Sequence, residues 1–237
     1  MGEDLVVEVR VATGSVPEWA SKVISEQEID ELDKVISQLE RECQAEVVPV
    51  IASQSLPALH LRRWVMTLLT LFTLTVLLVW VEFWGWVTLQ KFIAVLITGL
   101  FLSAVAAIKL GSSAWVLRWV THPKDIESFV WQRAELEFYR HRMHDTRQRS
   151  GLLLFVSLAE KKTVILVDPA VTSYIPKELM KGCVEDIAKG AAGGHLYNGL
   201  VNAIERLRPT LLERWPAGER DLDELSNRVR FVGPLSS

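Results

Sequence analysis

Trp64–Val81 (WVMTLLTLFTLTVLLVWV) and Phe92–Ile108 (FIAVLITGLFLSAVAAI) decide how this chain is built. Neither run contains a charged residue, and the connection between them carries only Glu82 and Lys91. A helix crosses a hydrocarbon core of ~30 Å with about 20 residues. Each run nearly suffices alone, and both suffice with their flanking tryptophans. The pattern predicts a transmembrane helical hairpin over 62–110, set into the middle of polar sequence. Arg62 and Arg63 precede the first run, Lys109, Arg118 and Lys124 follow the second, and the connection offers Lys91. Basic residues stay on the cytoplasmic side, so the expected topology is a two-span, multi-pass membrane protein with N- and C-termini cytoplasmic. Trp64 marks one interface, Trp80, Trp84 and Trp86 the other, and Trp115 and Trp119 the return. Glu82 sits where it can reach headgroups. No second charge inside the spans offers it a partner, which argues against a transporter or channel.

The chain has 237 residues, room for one or two domains, and its 49% apolar content is concentrated in the hairpin. A net charge of −3 gives no basic field for nucleic acid. Two cysteines, Cys43 and Cys183, make no disulfide framework and fit a reducing compartment. The opening MGEDLVVEVRVATG lacks a basic region followed by an apolar one, so no secretory signal is expected.

Working outward, Ser25-Glu-Gln-Glu28 is a capping box. The helix it opens sets Ile29, Leu32, Ile36, Leu39 and Cys43 along one seam, as packing on a sheet requires. Ala45–Ala52 (AEVVPVIA) reads as a strand, with Pro49 favouring an edge or a bulge. Beyond the hairpin, Ser112–Val120 extends the second span or lies at the interface, and Asp125–Gln148 reads as a helix with a basic end. Gly151–Leu158 and Thr163–Val167 form a β-hairpin around Ala159–Lys162. A helix over Pro176–Lys189 is broken by Gly190, Gly193 and Gly194. A second, Leu196–Leu212, carries Leu200, Ile204, Leu207 and Leu211 on one stripe and Pro209 inside it. One helix and one strand cannot bury their own faces, so the part before the hairpin must dock onto the part after it. The divisions are 1–23, an N-terminal segment; 24–56, the first part of an α/β domain; 62–110, the hairpin; 111–216, a juxtamembrane helix and the second part; and 217–237, a partly disordered tail.

Candidate chemistry is sparse. His141 and His144, at i and i+3 with Asp145 adjacent, could offer imidazoles to a transition metal, but no third ligand is evident and a solvated basic helix end explains them as well. Cys183 is followed by Lys189 where a tyrosine-phosphatase loop needs arginine, and its surroundings read as helix, so a buried structural thiol is the better reading. Gly190–Gly194 lies between helices without a preceding strand or a Gly-Lys-Ser ending, as an ordinary turn does. Asp168 ends a strand, a common place for functional carboxylates, with a turn cap as its plain alternative. No Ser-His-Asp set, Walker motif or dinucleotide fingerprint is present.

The run Thr146–Asp168 adds a resemblance. Its order is a Thr, a Gly opening an apolar strand, Ser157-Leu158, Glu160-Lys161-Lys162, a second strand and an Asp. This resembles the central hairpin of the TPM domain family. Gly199-Leu-Val-Asn-Ala-Ile204 is similar to the family's "GL..AI" helix, Trp215-Pro216 to its Phe-Pro, Asp223-Glu-Leu225 to its closing Asn-Glu-Leu, and Ile24–Val50 to its opening helix and strand. The resemblance implies a TPM-like helix/sheet α/β sandwich, here split by an inserted two-helix transmembrane hairpin, as in a bacterial membrane subgroup. It also implies relatives with phosphatase activity, relatives that bind divalent cations through acidic loops, and genes near LemA-type proteins. Of the family's functional positions, only Asp168 and Glu160 are matched. Asp168-Pro169-Ala170 departs from the family's Asp-basic-Gly, and Cys183 stands near a usual Trp.

The expected function is therefore that of a bacterial inner-membrane, membrane-anchored protein that binds other membrane proteins, LemA-type ones among the candidates, in assembly or envelope maintenance. It is expected to act without catalysis and without a cofactor. The alternative is a phosphatase-like hydrolase using Asp168 and Glu160, for which a divalent cation could serve. His141, His144 and Asp145 are the weak metal candidates. The lipid bilayer is a partner and nucleic acid is not.

Overall fold

Ser25 does open the first helix, and the closure is reciprocal. The Glu28 amide donates to Ser25 Oγ at 3.3 Å, and Ser25 N donates to Glu28 Oε2 at 2.8 Å. The computed structural model describes residues 16–84, 88–111, 121–146, 149–217 and 228–234. They fall into two compact units, one up to Ser55 and from Glu127 to Pro234, the other from Leu56 to Ile126.

The first unit contains α1 (Glu26–Glu42), β1 (Glu46–Ala52), α4 (Pro123–Arg140, from Glu127 on), β2 (Gly151–Ser157), β3 (Lys162–Val167), a single turn α5 (Pro169–Thr172), α6 (Lys177–Gly193), α7 (Leu196–Arg214) and β4 (Arg230–Val232). The strands form one sheet in the order β3-β2-β1-β4. β1 runs parallel to both β2 and β4, while β2 and β3 are antiparallel. A parallel pair needs a crossover connection, and the one between β1 and β2 is the segment that holds the apolar runs.

Alternation sorts the strand side chains onto two faces. Val47, Ile51, Leu152, Leu154, Val156 and Ile165 join Leu32, Ile36 and Leu39 of α1, Cys183 and Ile187 of α6, and the α7 stripe in one core. The opposite face carries buried Val48, Val50, Leu153 and Phe155 and lies under α4, which buries Val130, Ala134 and Phe138. Helix α4 crosses the strands. Lys162 Nζ on β3 donates to Glu127 Oε1 at 2.7 Å, and Arg133 Nη2 donates to the Gly233 carbonyl, just past β4, at 3.3 Å. The architecture is thus a mixed sheet between helical layers, an α/β sandwich.

Several sequence expectations need correction. β1 is an interior strand, and its register with β2 runs from Glu46 to Ala52 without a bulge. Pro49 is tolerated for a local reason. Glu46 N donates to Ser150 O, so even-numbered residues of β1 turn their main-chain groups toward β2 and odd-numbered ones turn the other way. On that side β4 pairs only from Val50, and Val47 N is met instead by the Glu40 side chain at 3.0 Å. Pro49 therefore puts its missing N–H against a stretch of edge with no paired strand among the described residues.

The tail over 217–237, expected to be partly disordered, also supplies β4, and Phe231 packs edge-on against Trp19 at 5.9 Å. Helix α6 does not break at Gly190 but runs to Gly193, where Gly194 at φ 76° caps it. Helix α4 ends at Arg140, not Gln148. Ser112–Val120 and Asp223–Leu225 lie outside the described residues.

In the second unit the apolar runs form α2 (Ala58–Trp84) and α3 (Leu89–Gly111). They pack closely where Gly99 meets Thr73. A Cβ at Gly99 would lie 2.4 Å from Thr73 Cγ2. The helical hairpin is present, but its transmembrane character is not a finding of the fold: among the described residues no helix is long and apolar enough to cross a membrane.

Candidate functional site

In sheets with parallel strands, ligand sites collect at the carboxyl ends of the strands. Here those ends are Ala52, Ser157 and Val232. The β2–β3 turn closes over them. Ser157 ends β2, and Leu158 N donates to Ala52 O at 3.0 Å. Lys161 takes the left-handed conformation, φ 54°, that tightens the turn. This folds the Glu160 carboxylate back onto the sheet end. Its Oε2 accepts from Ser55 N at 3.1 Å and from Ser157 Oγ, and the Ser55 and Ser157 hydroxyls lie 2.7 Å apart.

Ser55, Ser157 and Glu160 are all buried. A buried carboxylate needs hydrogen-bond donors, and this one finds them on the two segments it joins. The three buried side chains join the end of β1 to the β2–β3 turn as a clasp. The Ser-Leu-x-Glu spacing has a direct mechanical reading: Ser157 and Glu160 must both face the same capped strand end.

Asp168 lies elsewhere. It is buried at the other end of β3, where its N–H donates to Gly151 O at 3.0 Å and its carbonyl accepts from Val171 N at 2.8 Å. β2 separates the two carboxylates by about 20 Å, the length of seven extended residues. Glu160 and Asp168 therefore do not converge on one cleft.

The histidine cluster is also dispersed. α4 ends at Arg140, and Arg142 at φ 54° turns the chain into a short 3-10 segment, Met143–Asp145. His141 and His144 thus do not share a helix face. His141 approaches Glu137 at 3.5 Å, His144 lies against the Tyr139 ring at 5.2 Å, and Asp145 pairs with Arg142. Among the described residues no group of three or more His, Cys, Asp or Glu is placed to hold a metal ion. Cys183 faces the core from α6 and donates to the Ala203 carbonyl at 3.6 Å. Burial pushes its thiol up to about 11, far from a thiolate nucleophile.

The sequence reading missed two features. One is a buried charge cluster under α4. Arg133 Nε stands 3.1 Å from Glu137 Oε1, an ion pair whose angle is not that of a hydrogen bond, and both side chains are 3% exposed. Glu137 also takes Arg140 at 3.1 Å. Burial, then Arg230 and Arg140, push His141 down to about 4, so it is neutral at physiological pH. The Arg133-x-x-x-Glu137 spacing was the available signal. The other feature is a groove of about 700 Å3 along β3, walled by α4 on one side and α6 on the other.

The decisive correspondence is between this scaffold and the motif it explains: the strand–turn–strand with its Ser157/Glu160 clasp, and Gly199, Leu200, Ala203 and Ile204 buried on one face of α7. Residues 114–209 match the TPM domain family. That match takes in α4, the β2–β3 hairpin, α6 and most of α7, and leaves β1 and β4, the other two strands of the sheet, outside it. The NMR structure of the BA42 protein from the psychrophilic bacterium Bizionia argentinensis superposes with a TM-score of 0.53 at 15% identity, covering 88% of this chain and 94% of that one. At that identity the likeness is one of fold. No curated protein matches the chain. Within the TPM domain match, Glu160 is the clasp residue and Asp168 follows β3, its main-chain N–H and carbonyl engaged by Gly151 and Val171.

Proposed function

We propose that this chain is a membrane-anchored binding module. The hairpin of α2 and α3 inserts in a lipid bilayer, and the α/β unit, both of whose halves are joined to it, binds other membrane proteins without catalysing a reaction. The observation that carries this reading is the apolar exterior of the hairpin. Phe72, Leu78, Phe83 and Phe101 are 67%, 68%, 82% and 67% exposed, and Leu68, Leu71, Ile97 and Leu102 accompany them on both helices. Soluble monomers rarely leave contiguous apolar surface of more than a few hundred Å2 uncovered. Thr70, Thr73 and Thr75 return their hydroxyls to the carbonyls of Met66, Leu69 and Leu71 at 2.8, 2.8 and 2.9 Å, which hides their polarity as lipid requires. The uncharged runs and the basic residues flanking them favour a bilayer crossing with both termini cytoplasmic.

The hydrolase alternative has less behind it, since Glu160 and Asp168 stand at opposite ends of the sheet. The test is carbonate extraction of native membranes, combined with a reporter fused after Ser237. The expected result is a chain that stays in the carbonate-washed pellet and a cytoplasmic signal from the reporter. Release into the supernatant would overturn anchoring, and a signal from the far side would overturn the topology. Turnover of an aryl phosphate by the detergent-purified chain, lost in Asp168→Asn, would overturn the non-catalytic part.

A further inference from the structure

The outer edge of β3 is a free side of the described sheet. β3 ends the sheet, and the phase of its pairing fixes which main-chain groups face outward. Asp168 N donates to Gly151 O across a directly opposed pair. In an antiparallel ladder hydrogen-bonded and non-bonded pairs alternate. Lys162, Val164 and Leu166 therefore turn their main-chain groups toward β2, while Thr163, Ile165 and Val167 turn theirs outward, where no further strand of the described sheet lies.

Proteins usually blunt such an edge with proline, a bulge, inward charge or a covering element. The register of β3 runs unbroken, its interior is Thr-Val-Ile-Leu, and its lysine stands at one end only. Beside the edge is the groove of about 700 Å3, with Val130 and Trp131 on one wall and Met180 and Val184 on the other. Trp131 is 48% exposed. An extended chain puts alternate side chains on opposite faces, and the groove has an apolar wall for each set. The charges set the polarity of the guest. Lys162 is engaged by Glu127 at 2.7 Å, which leaves Lys161 and Lys181 against Glu185 on the rim.

We infer that the outer edge of β3 docks an extended, acidic segment of a partner protein, which adds to the sheet as a fifth strand with its carboxylates toward Lys161 and Lys181. This rests on the reading of the chain as a binding module. Main-chain hydrogen bonds from Thr163, Ile165 and Val167 would hold the guest, and the two walls would select β-branched or aliphatic residues at alternate positions.

The test uses the full chain in detergent micelles and a displayed library of random ten-residue peptides. Amide exchange reports on the bound state. The expected winners are acidic, proline-free and rich in alternating Val, Ile and Thr. On binding they slow exchange at Thr163, Ile165 and Val167 and leave Val164 and Leu166, already paired to β2, unchanged. Thr163→Pro removes an outward donor without touching a β2 bond, and the affinity of the enriched peptides should drop at least tenfold. Lys161→Glu with Lys181→Glu should cost a similar factor and works even if the proline variant misfolds. Three results would each overturn the inference: no enrichment over the Thr163→Pro chain, enriched peptides that leave the outward amides unprotected, or outward amides protected without peptide in proportion to protein concentration, which would mean that a second copy fills the edge. Membrane fractionation of the same variants keeps the two proposals apart: a failed anchor changes the pellet and leaves peptide binding intact, and a failed dock does the reverse.

Discussion

Glu137→Gln is expected to destabilise the α/β unit by about 3–5 kcal/mol, the cost of leaving a buried charge without its partner. Glu137 is the carboxylate that Arg133, Arg140 and His141 share, and its side chain and that of Arg133 are 3% exposed. Glutamine keeps the shape and removes the charge, so Arg133 would remain buried with Gly233 O as its main acceptor. Urea unfolding of the full chain in micelles, read by exchange of the β1–β2 amides, measures the loss. A change below about 1 kcal/mol would mean that Arg133 finds solvent or another acceptor. Replacing both residues together, as Arg133→Met with Glu137→Leu, should recover most of the loss, because the pair itself contributes little net stability once its desolvation is counted.

The same cluster gives the unit an acid limit. His141 has a folded pKa of about 4, below the 6.5 of an unperturbed imidazole. The unfolded chain therefore takes up the proton first. This contribution to stability is complete above pH 6.5 and is lost as pH falls from about 6.5 to 4. Stability measured across that window should slope downward toward acid, and His141→Gln should flatten the slope. An unchanged slope in that variant would place the titration elsewhere.

Gly199→Val is the second large effect. A Cβ at Gly199 would lie 2.7 Å from the Asp186 carbonyl oxygen and 3.0 Å from Ile187 Cα, and one at Gly190 would lie 2.9 Å from Gly199 Cα. The obstruction is backbone, which cannot rotate away as a side chain can. To admit a valine, α6 and α7 must separate at the crossing where Cys183 donates to the Ala203 carbonyl. Overpacking of this kind costs about 1–3 kcal/mol where side chains can shift, so a loss of about 3 kcal/mol or more is expected, together with faster exchange across α6 and α7. Gly193→Ala is the matched control. Its Cβ meets nothing nearer than His195 Cδ2 at 3.8 Å, so stability should hold. Equal losses in both variants would point to helix propensity in place of the crossing.

Much of this architecture is legible in the residues. The Ser25–Glu28 box marks the start of α1 because both of its bonds are local. The β2–β3 hairpin shows because its strands are adjacent in sequence. The docking of the two halves follows from the inability of one helix and one strand to bury their own faces. What sequence hides is non-local. β4 is three residues long, too short for alternation to register, and exists because β1 offers an edge at Val50–Ala52. Pro49 signals an edge, yet only half of one edge of β1 is bare. Gly190 looks like a breaker, but it stays helical because Gly199 needs the room.

The candidate site follows the same logic. Glu160 and Asp168 are eight residues apart in sequence, but an antiparallel hairpin sends them to opposite ends of the sheet. His141 and His144 have helical spacing, but Arg142 turns left-handed between them. Spacing predicts proximity only while the element continues, and both elements stop.

The placement of β1 also sets an order of events during synthesis. Its partners are Gly151–Ser157 on one side and Arg230–Val232 on the other. At about 5–20 residues per second, the roughly 180 residues between Val50 and Arg230 take on the order of 10–40 s to emerge. Throughout that time the future centre of the sheet has no strand on its β4 side, and the α2–α3 hairpin, made in the first third of the interval, is complete long before β4. Truncation before Arg230 should strand the nascent chain at that stage, with its hairpin formed and its sheet unfinished.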